Sequence, residues 1–280
     1  MLFNGPASLP YDIDLGVFPI FDYYYEEADQ IVVLTRNAGP PLSDNILFNG
    51  SNINPLDPSE GSYARVTLTP GKTHRLHLIN TSQENHFTVS IVGHNMTIIE
   101  ADLVPVKAQT VDSVFLGVGQ RYDVIIDAVE AVDNYWINAT LSSSGLCGGS
   151  VNPFPAAILS YAGAPTGLPT NEGVLPADAQ TDCLDLQNLS PVLARTAPVD
   201  TFLDTYGSDN TLQVQLDTTG GPPSDVPLFV WKINGTSILV DWGNPVVNYI
   251  MDGETLPQSV NPVIINEPNQ VCCVTQAAKR

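Results

Sequence analysis

The chain has 280 residues, enough for one large domain or two smaller ones, each with a core of its own. Thirty acidic against ten basic residues give a formal net charge of −20, which repels phosphate backbones and anionic bilayers and argues against nucleic acid or a membrane as partner. Low charge content (14 %) with 23 Pro and 21 Gly points to an all-β protein rich in turns, and no apolar stretch reaches the about 18 residues of a membrane-spanning helix.

Met1 to Pro10 lacks the basic and apolar regions of a signal peptide. Along the chain, Ala64 to Thr69 puts Val66 and Leu68 on one face before a Pro70-Gly71 turn, and the pattern predicts a hairpin with His74 to Ile79 as the partner strand. Phe87, Val89 and Ile91 alternate with polar residues, Gly93-His94-Asn95 turns the chain, and Met96 to Ile99 completes a second predicted hairpin. Further strands are predicted at Asp112 to Leu116, Tyr122 to Asp127, Tyr135 to Leu141 and Ala156 to Tyr161. That spacing, with no helix-period segment between them, predicts a β-sandwich.

From Gly163 to Asp200 the alternation dissolves into Pro, Gly, Asn and Asp, the composition of an interdomain linker. A second set of strands is predicted near Leu212 to Leu216 and Leu228 to Ile233, followed by a mixed polar run from Asp241 to Met251. So few strands do not close a sandwich, and the expectation is a second domain cut short.

Six N-x-Ser/Thr sequons begin at Asn49, Asn80, Asn95, Asn138, Asn188 and Asn234, a density that suits a secreted glycoprotein. Cys147 and Cys183 sit in loops that a disulfide could join, although two buried free thiols would present the same sequence. Of the four histidines, His74 and His77 are three apart on a predicted strand and so point to opposite faces, while His86 and His94 flank another. They read as structural or surface residues, and no metal site is predicted from them. Arg121 and Asp123 alternate within GQRYDV and suit an ion pair at the sandwich edge. No nucleophile elbow, P-loop or Rossmann fingerprint is present.

Longer phrases carry a family likeness: NGPASLPYDIDLGVFPIFDYYY (Asn4 to Tyr25), NAGPPLSDNILFNG (Asn37 to Gly50), LTPGKTHRLHLINTSQENHF (Leu68 to Phe87), VGQRYDVIIDA (Val118 to Ala128), DNYWINAT (Asp133 to Thr140) and PLFVWKINGTSILVDWGNP (Pro227 to Pro245). Together they resemble ascomycete laccases of the multicopper oxidase family, whose three cupredoxin-like sandwiches follow one another in series. The resemblance implies that residues 1–162 are the second cupredoxin-like domain, a Greek-key β-sandwich. Residues 163–200 are then a linker tied back by a Cys147–Cys183 disulfide, and residues 201–270 the incomplete start of the third domain. The last ten residues, 271–280, carry adjacent Cys272 and Cys273 and are unlike the family, so the expectation is a fragment at both ends, with the leader of a secreted protein absent from this sequence.

The resemblance also implies a chemistry. Laccases oxidise phenols such as lignin-related aromatics by single electrons and reduce dioxygen to water at copper ions, whose His-x-His ligand pairs lie in the first and third domains; no such pair occurs here. Copper is thus implied for the full-length family, with none expected to be held by this chain, which alone is expected to be inactive. Glu84, in SQENHF, matches an acidic position that hydrogen-bonds the substrate hydroxyl and would accept its proton. Leu146, Phe229 and Trp231 match apolar positions of the phenol pocket, the latter two being two apart on a strand and so on one side of it. Gly39 and Pro40 match a rim segment, in which the family usually has alanine where Gly39 stands. The alternatives are a copper-free, non-catalytic β-sandwich fragment and a secreted module binding aromatic or carbohydrate ligands, which would need these side chains preorganised without their neighbours.

Overall fold

A computed structural model describes residues 7–38, 41–141, 147–170, 183–194, 211–221, 224–238, 240–262 and 273–276. Contacts within the chain gather into two units, one of Met1–Glu27 with Leu42–Ala194 and one of Ala28–Pro41 with Arg195–Arg280.

The first unit is a sandwich of two sheets. One is six-stranded in the order β2-β1-β4-β9-β6-β7, from β1 (Ile13–Tyr23), β2 (Asn45–Phe48), β4 (Thr73–Asn80), β6 (Met96–Ala101), β7 (Val104–Val111) and β9 (Arg121–Asp127). The other is five-stranded in the order β3-β11-β10-β5-β8, from β3 (Arg65–Leu68), β5 (Phe87–Ile91), β8 (Ser113–Leu116), β10 (Asn134–Thr140) and β11 (Ala156–Tyr161). Alternate residues of each strand meet between the sheets. Ile20, Phe48, Leu76, Leu78, Ile98, Val124 and Ile126 face Leu68, Phe87, Val89, Leu116, Ile137 and Leu159 in one continuous, solvent-free core. Each fully buried side chain of this size contributes about 1.5–3 kcal/mol by leaving water, which is the main term holding the sheets together.

Both predicted hairpins are corrected by this topology. β3 and β4 lie in different sheets, as do β5 and β6, so the turns at Pro70-Gly71 and Gly93-His94-Asn95 carry the chain across the sandwich. β3 instead pairs in parallel with β11, and β5 with β8 and β10. Local chemistry explains the first crossing: the His74 imidazole Nε2 accepts the Thr69 N–H at 2.9 Å, so that donor is not available to a β3–β4 ladder. At the second, His94 turns inward, donating from Nδ1 to Val92 O at 2.9 Å while Nε2 accepts the Tyr161 hydroxyl at 2.7 Å.

β1 pairs in parallel with β4, with a bulge between Asp14 and Val17. Gly16 at its centre has φ +81°, a conformation suited to glycine, and its N–H bonds the Asp14 carboxylate at 2.8 Å. β9 is an interior strand between β4 and β6, so the predicted edge pairing of Arg121 with Asp123 is replaced: Asp123 is buried against Arg75 and His77, while Arg121 lies exposed 3.9 Å from Asp102. Residues 183–193 run along the sandwich, with Leu186 and Leu189 packed on the core, Val106 bridged to Pro191, and Asp185 accepting the Tyr122 hydroxyl at 2.7 Å.

In the second unit β12 (Thr211–Gly221) and β13 (Ser224–Ile233) form an antiparallel pair, and β14 (Cys273–Gln276) joins β12 in parallel. The tail, unlike the family in sequence, therefore contributes a strand that the sequence did not predict. Two helices were not anticipated. α1 (Ala28–Ala38) contains the β-branched run Ile31-Val32-Val33, which reads as strand, and α2 (Val246–Met251) follows Pro245 within the polar run after β13. No helix among the described residues is long and apolar enough to cross a membrane.

Candidate active-site loop around Glu84

The chain leaves β4 at Asn80 and reaches β5 at Phe87 through Thr81-Ser82-Gln83-Glu84-Asn85-His86. Three anchors hold this loop. Asn80, fully buried, donates from Nδ2 to Asn85 O at 2.8 Å and Leu116 O at 2.9 Å, and its Oδ1 accepts Ser82 N–H at 2.8 Å. Asp22, buried near the end of β1, accepts the N–H groups of Gln83, Glu84 and Asn85 at 2.9, 2.9 and 3.1 Å. His86 N–H donates to Cys147 O at 3.0 Å, and Asn85 Nδ2 reaches Ser43 Oγ at 3.2 Å. A residue other than glycine at position 148 would collide, because a Cβ there lies 2.3 Å from Asn85 Oδ1 and the backbone has φ +91°.

On this frame the Glu84 side chain is exposed. Partial desolvation, with the Asp22 carboxylate second, raises its pKa above the ordinary glutamate value. Tyr24, half-buried, has its pKa pushed up to about 12 by desolvation and by the charges of Asp22, Glu84 and Asp44. The loop thus presents an accessible carboxylate with raised proton affinity, in a setting dominated by negative charge.

The other residues taken from the resemblance are distributed as follows. Leu146, Gly39 and Pro40 lie outside the described residues, and Phe229 is described in its backbone only, opposite Thr218 in the β12–β13 pair. Trp231, two residues on in β13, is 59 % exposed. Beside the Cys147–Cys183 disulfide lies an open groove of about 590 Å³, lined by His86, Phe115, Arg121 and Asp185 among others but not by Glu84. Sequence reasoning missed Asp22: it stands in FDYYY, where an acidic residue next to three tyrosines gives no sign of which backbone it will meet.

The histidines do not fit copper. His77 lies between Asp123 and Asp14, at 2.8 and 3.1 Å, His94 uses both ring nitrogens in the hydrogen bonds given above, and His74 accepts Thr69 N–H at Nε2 while its Nδ1 is buried with no hydrogen-bond partner among the described residues. His86 Nδ1 accepts Val118 N–H at 3.2 Å while its ring stacks on Phe115 at 6.0 Å. Among the described residues no three His, Cys, Asp or Glu side chains converge as a metal site.

The six sequons divide by burial. Asn49, Asn95, Asn188 and Asn234 are exposed, whereas Asn80 is enclosed with its amide fully used, and the Asn138 Nδ2 is buried with no hydrogen-bond partner among the described residues. An enclosed amide has no room for a sugar, so the folded structure opposes the glycosylation predicted at Asn80 and Asn138.

Two sheets joined by crossings at Pro70-Gly71 and Gly93-Asn95, with a parallel β1–β4 pair, define a cupredoxin-like Greek-key sandwich. The chain belongs to the multicopper oxidase family, whose model matches residues 14–164, just over half of its length. It is 59 % identical to Laccase-1 of Melanocarpus albomyces over 268 residues, 95 % of this chain and 41 % of that protein. To the laccase of Cryphonectria parasitica it is 54 % identical over 268 residues, 95 % of this chain and 43 % of the relative. The crystal structure of laccase from Botrytis aclada superposes with a TM-score of 0.77 at 32 % identity, covering 91 % of this chain and 46 % of that one. The chain spans less than half the length of these relatives.

Proposed function

We propose that the chain is part of a secreted laccase-type oxidase, and that Glu84 accepts the hydroxyl proton as a phenol is oxidised. The observation that carries this reading is the Glu84 carboxylate itself: accessible, on a backbone pinned by three successive hydrogen bonds, with its pKa raised. As a phenol gives up one electron, transfer of its proton to Glu84 leaves a neutral phenoxyl radical in place of an unfavourable radical cation. Four such oxidations balance the reduction of one dioxygen to two waters. Leu146, Phe229 and Trp231 would supply apolar contacts to phenolic rings and Gly39 and Pro40 part of the rim, in keeping with the resemblance. Copper belongs to the whole oxidase in this reading; the 280-residue chain supplied with copper should show neither intense blue absorption nor oxygen uptake with a phenol. The four exposed sequons support a secreted glycoprotein.

The test is Glu84→Ala in the complete oxidase, assayed with a phenol and with an electron donor that has no hydroxyl proton. Phenol kcat/KM should fall about 10²-fold relative to the hydroxyl-free donor, the scale of general base catalysis. The loss should be greatest where Glu84 is ionised and should fade as pH falls through its raised pKa. Equal losses for both donors would reject the assignment.

A further inference from the structure

We propose that Asp22 is the positioning residue of Glu84: its buried carboxylate gathers the backbone N–H groups of Gln83, Glu84 and Asn85 and so fixes where the Glu84 side chain stands for proton transfer. This inference rests on the reading of Glu84 as proton acceptor and assigns a role to a residue that does not itself touch substrate.

The geometry is specific to a carboxylate. Asp22 Oδ1 accepts Gln83 N–H at 2.9 Å, and Oδ2 accepts Glu84 N–H at 2.9 Å, Asn85 N–H at 3.1 Å and Asn85 Nδ2 at 3.2 Å. Asp22's own N–H donates to Ser82 Oγ at 3.1 Å, so strand and loop are tied in both directions. A carboxylate is acceptor-only and offers about four lone-pair sites; four donors meet them here, which offsets the cost of burying the charge. Asparagine, nearly the same shape, would turn its NH₂ group toward Gln83 N–H in one orientation and toward the Glu84 and Asn85 donors in the other, so a donor faces a donor either way. The loop is already anchored by Asn80 and by Thr81 N–H on Ile20 O at 3.0 Å, so Asp22 is not needed merely to close it.

The second consequence is electrostatic. Asp22 adds a negative charge beside Glu84 and raises its proton affinity, and the other titratable groups of the cluster are Tyr24 and Asp44. A clasp that both places the base and keeps it strong would explain why a buried acid stands under an exposed one in an already acidic region.

The experiment follows the Glu84 carboxyl carbon by ¹³C NMR through a pH titration of the 280-residue chain, native and Asp22→Asn. The midpoint should fall in Asp22→Asn, since the neighbouring charge is gone; an unmoved midpoint overturns the assignment, whatever Glu84 does in turnover. In the complete oxidase, Asp22→Asn should lower the ratio of phenol to hydroxyl-free donor turnover about tenfold, as loss of positioning does, and move the acidic limb of the phenol profile to lower pH. A fallen midpoint together with equal losses for both donors in Glu84→Gln would retire the proton-acceptor reading, and the catalytic meaning of the clasp with it. Should Asp22→Asn not fold, hydrogen exchange of the native chain decides: the amides of Gln83, Glu84 and Asn85 should be protected together, and exchange at open-loop rates would overturn the proposal.

Discussion

His77 and Asp123 stand opposite each other on β4 and β9, with Nδ1 and Oδ1 2.8 Å apart in a part of the sheet that is buried on both faces. The far ring nitrogen lies 3.1 Å from Asp14 on β1, so one imidazole links three strands. Arg75 donates from Nε to the other Asp123 oxygen at 2.9 Å, forms a second bond to it through Nη2, and lies 3.4 Å from Glu100 under the Tyr11 ring. The hydrogen bond to Asp123 raises the His77 pKa against the opposing effect of burial. Burial pushes the Asp123 pKa up, but its bonds to His77 and Arg75 outweigh this, and the net direction is down.

The first prediction follows from the sign of the His77 shift. A base with a raised folded-state pKa stabilises the fold fully below its unfolded value, about 6.5, and loses that contribution as pH rises through the folded value. His74, His86 and His94 have lowered pKa values, chiefly through burial, and act with the opposite sign. The stability difference between the native chain and His77→Gln should therefore be largest at mildly acid pH and shrink toward alkaline pH, read from urea unfolding across the range. Parallel stability profiles would reject the protonated bridge.

The second prediction separates sequons by the work their asparagines do. Asn80→Ala removes two donors and an acceptor from the β4–β5 connection, and each buried group left without a partner costs about 1–3 kcal/mol. Asn95→Gln, at an exposed turn, should stay within about 0.5 kcal/mol of the native chain. Glycopeptide mapping of protein from a secreting host should find sugar at Asn49, Asn95, Asn188 and Asn234 and none at Asn80 or Asn138. A glycan on Asn80 in folded material would contradict the burial.

Strand positions such as Tyr122 to Asp127 and Ala156 to Tyr161 were legible because alternation and bounding turns are local signals, and the sandwich class followed from their spacing. Pairing was not. Whether β4 follows β3 as partner or crosses to the other sheet depends on which strand completes a buried face, and in β3 that partner is β11, about ninety residues away. β1 escaped because Leu15, Gly16 and Pro19 interrupt its alternation around the bulge. At the candidate site, Glu84 was readable only through the family phrase that contains it. Asp22 was invisible, since a carboxylate that serves backbone N–H groups leaves no residue-type pattern in its partners.

The third prediction concerns the Cys147–Cys183 disulfide, which the sequence left open between bonded and merely buried thiols and the structure gives as bonded. It closes a loop with a sequence separation of 36, for which chain entropy alone implies about 4 kcal/mol of stabilisation. The bond also joins the end of the Glu84 loop to the segment that follows the sandwich. Cys147 O receives the His86 N–H at the end of the Glu84 loop, and Cys183 starts the segment that brings Asp185 to the Tyr122 hydroxyl and to Gln120 Nε2 at 2.8 Å. Burial, first, and the hydrogen bond to Asp185 hold the Tyr122 hydroxyl in its protonated, donating form. Replacing both cysteines by serine should lower the free energy of unfolding by about 2–4 kcal/mol, and Cys183→Ser alone should cost nearly as much, because either change opens the same loop. Asp185→Asn should cost less, since it weakens the Tyr122 contact and leaves the covalent tie. If reductant leaves the denaturation midpoint of the native chain unmoved, the bond does not carry this stability, and the packing of Leu186 and Leu189 on the core must hold the segment by itself.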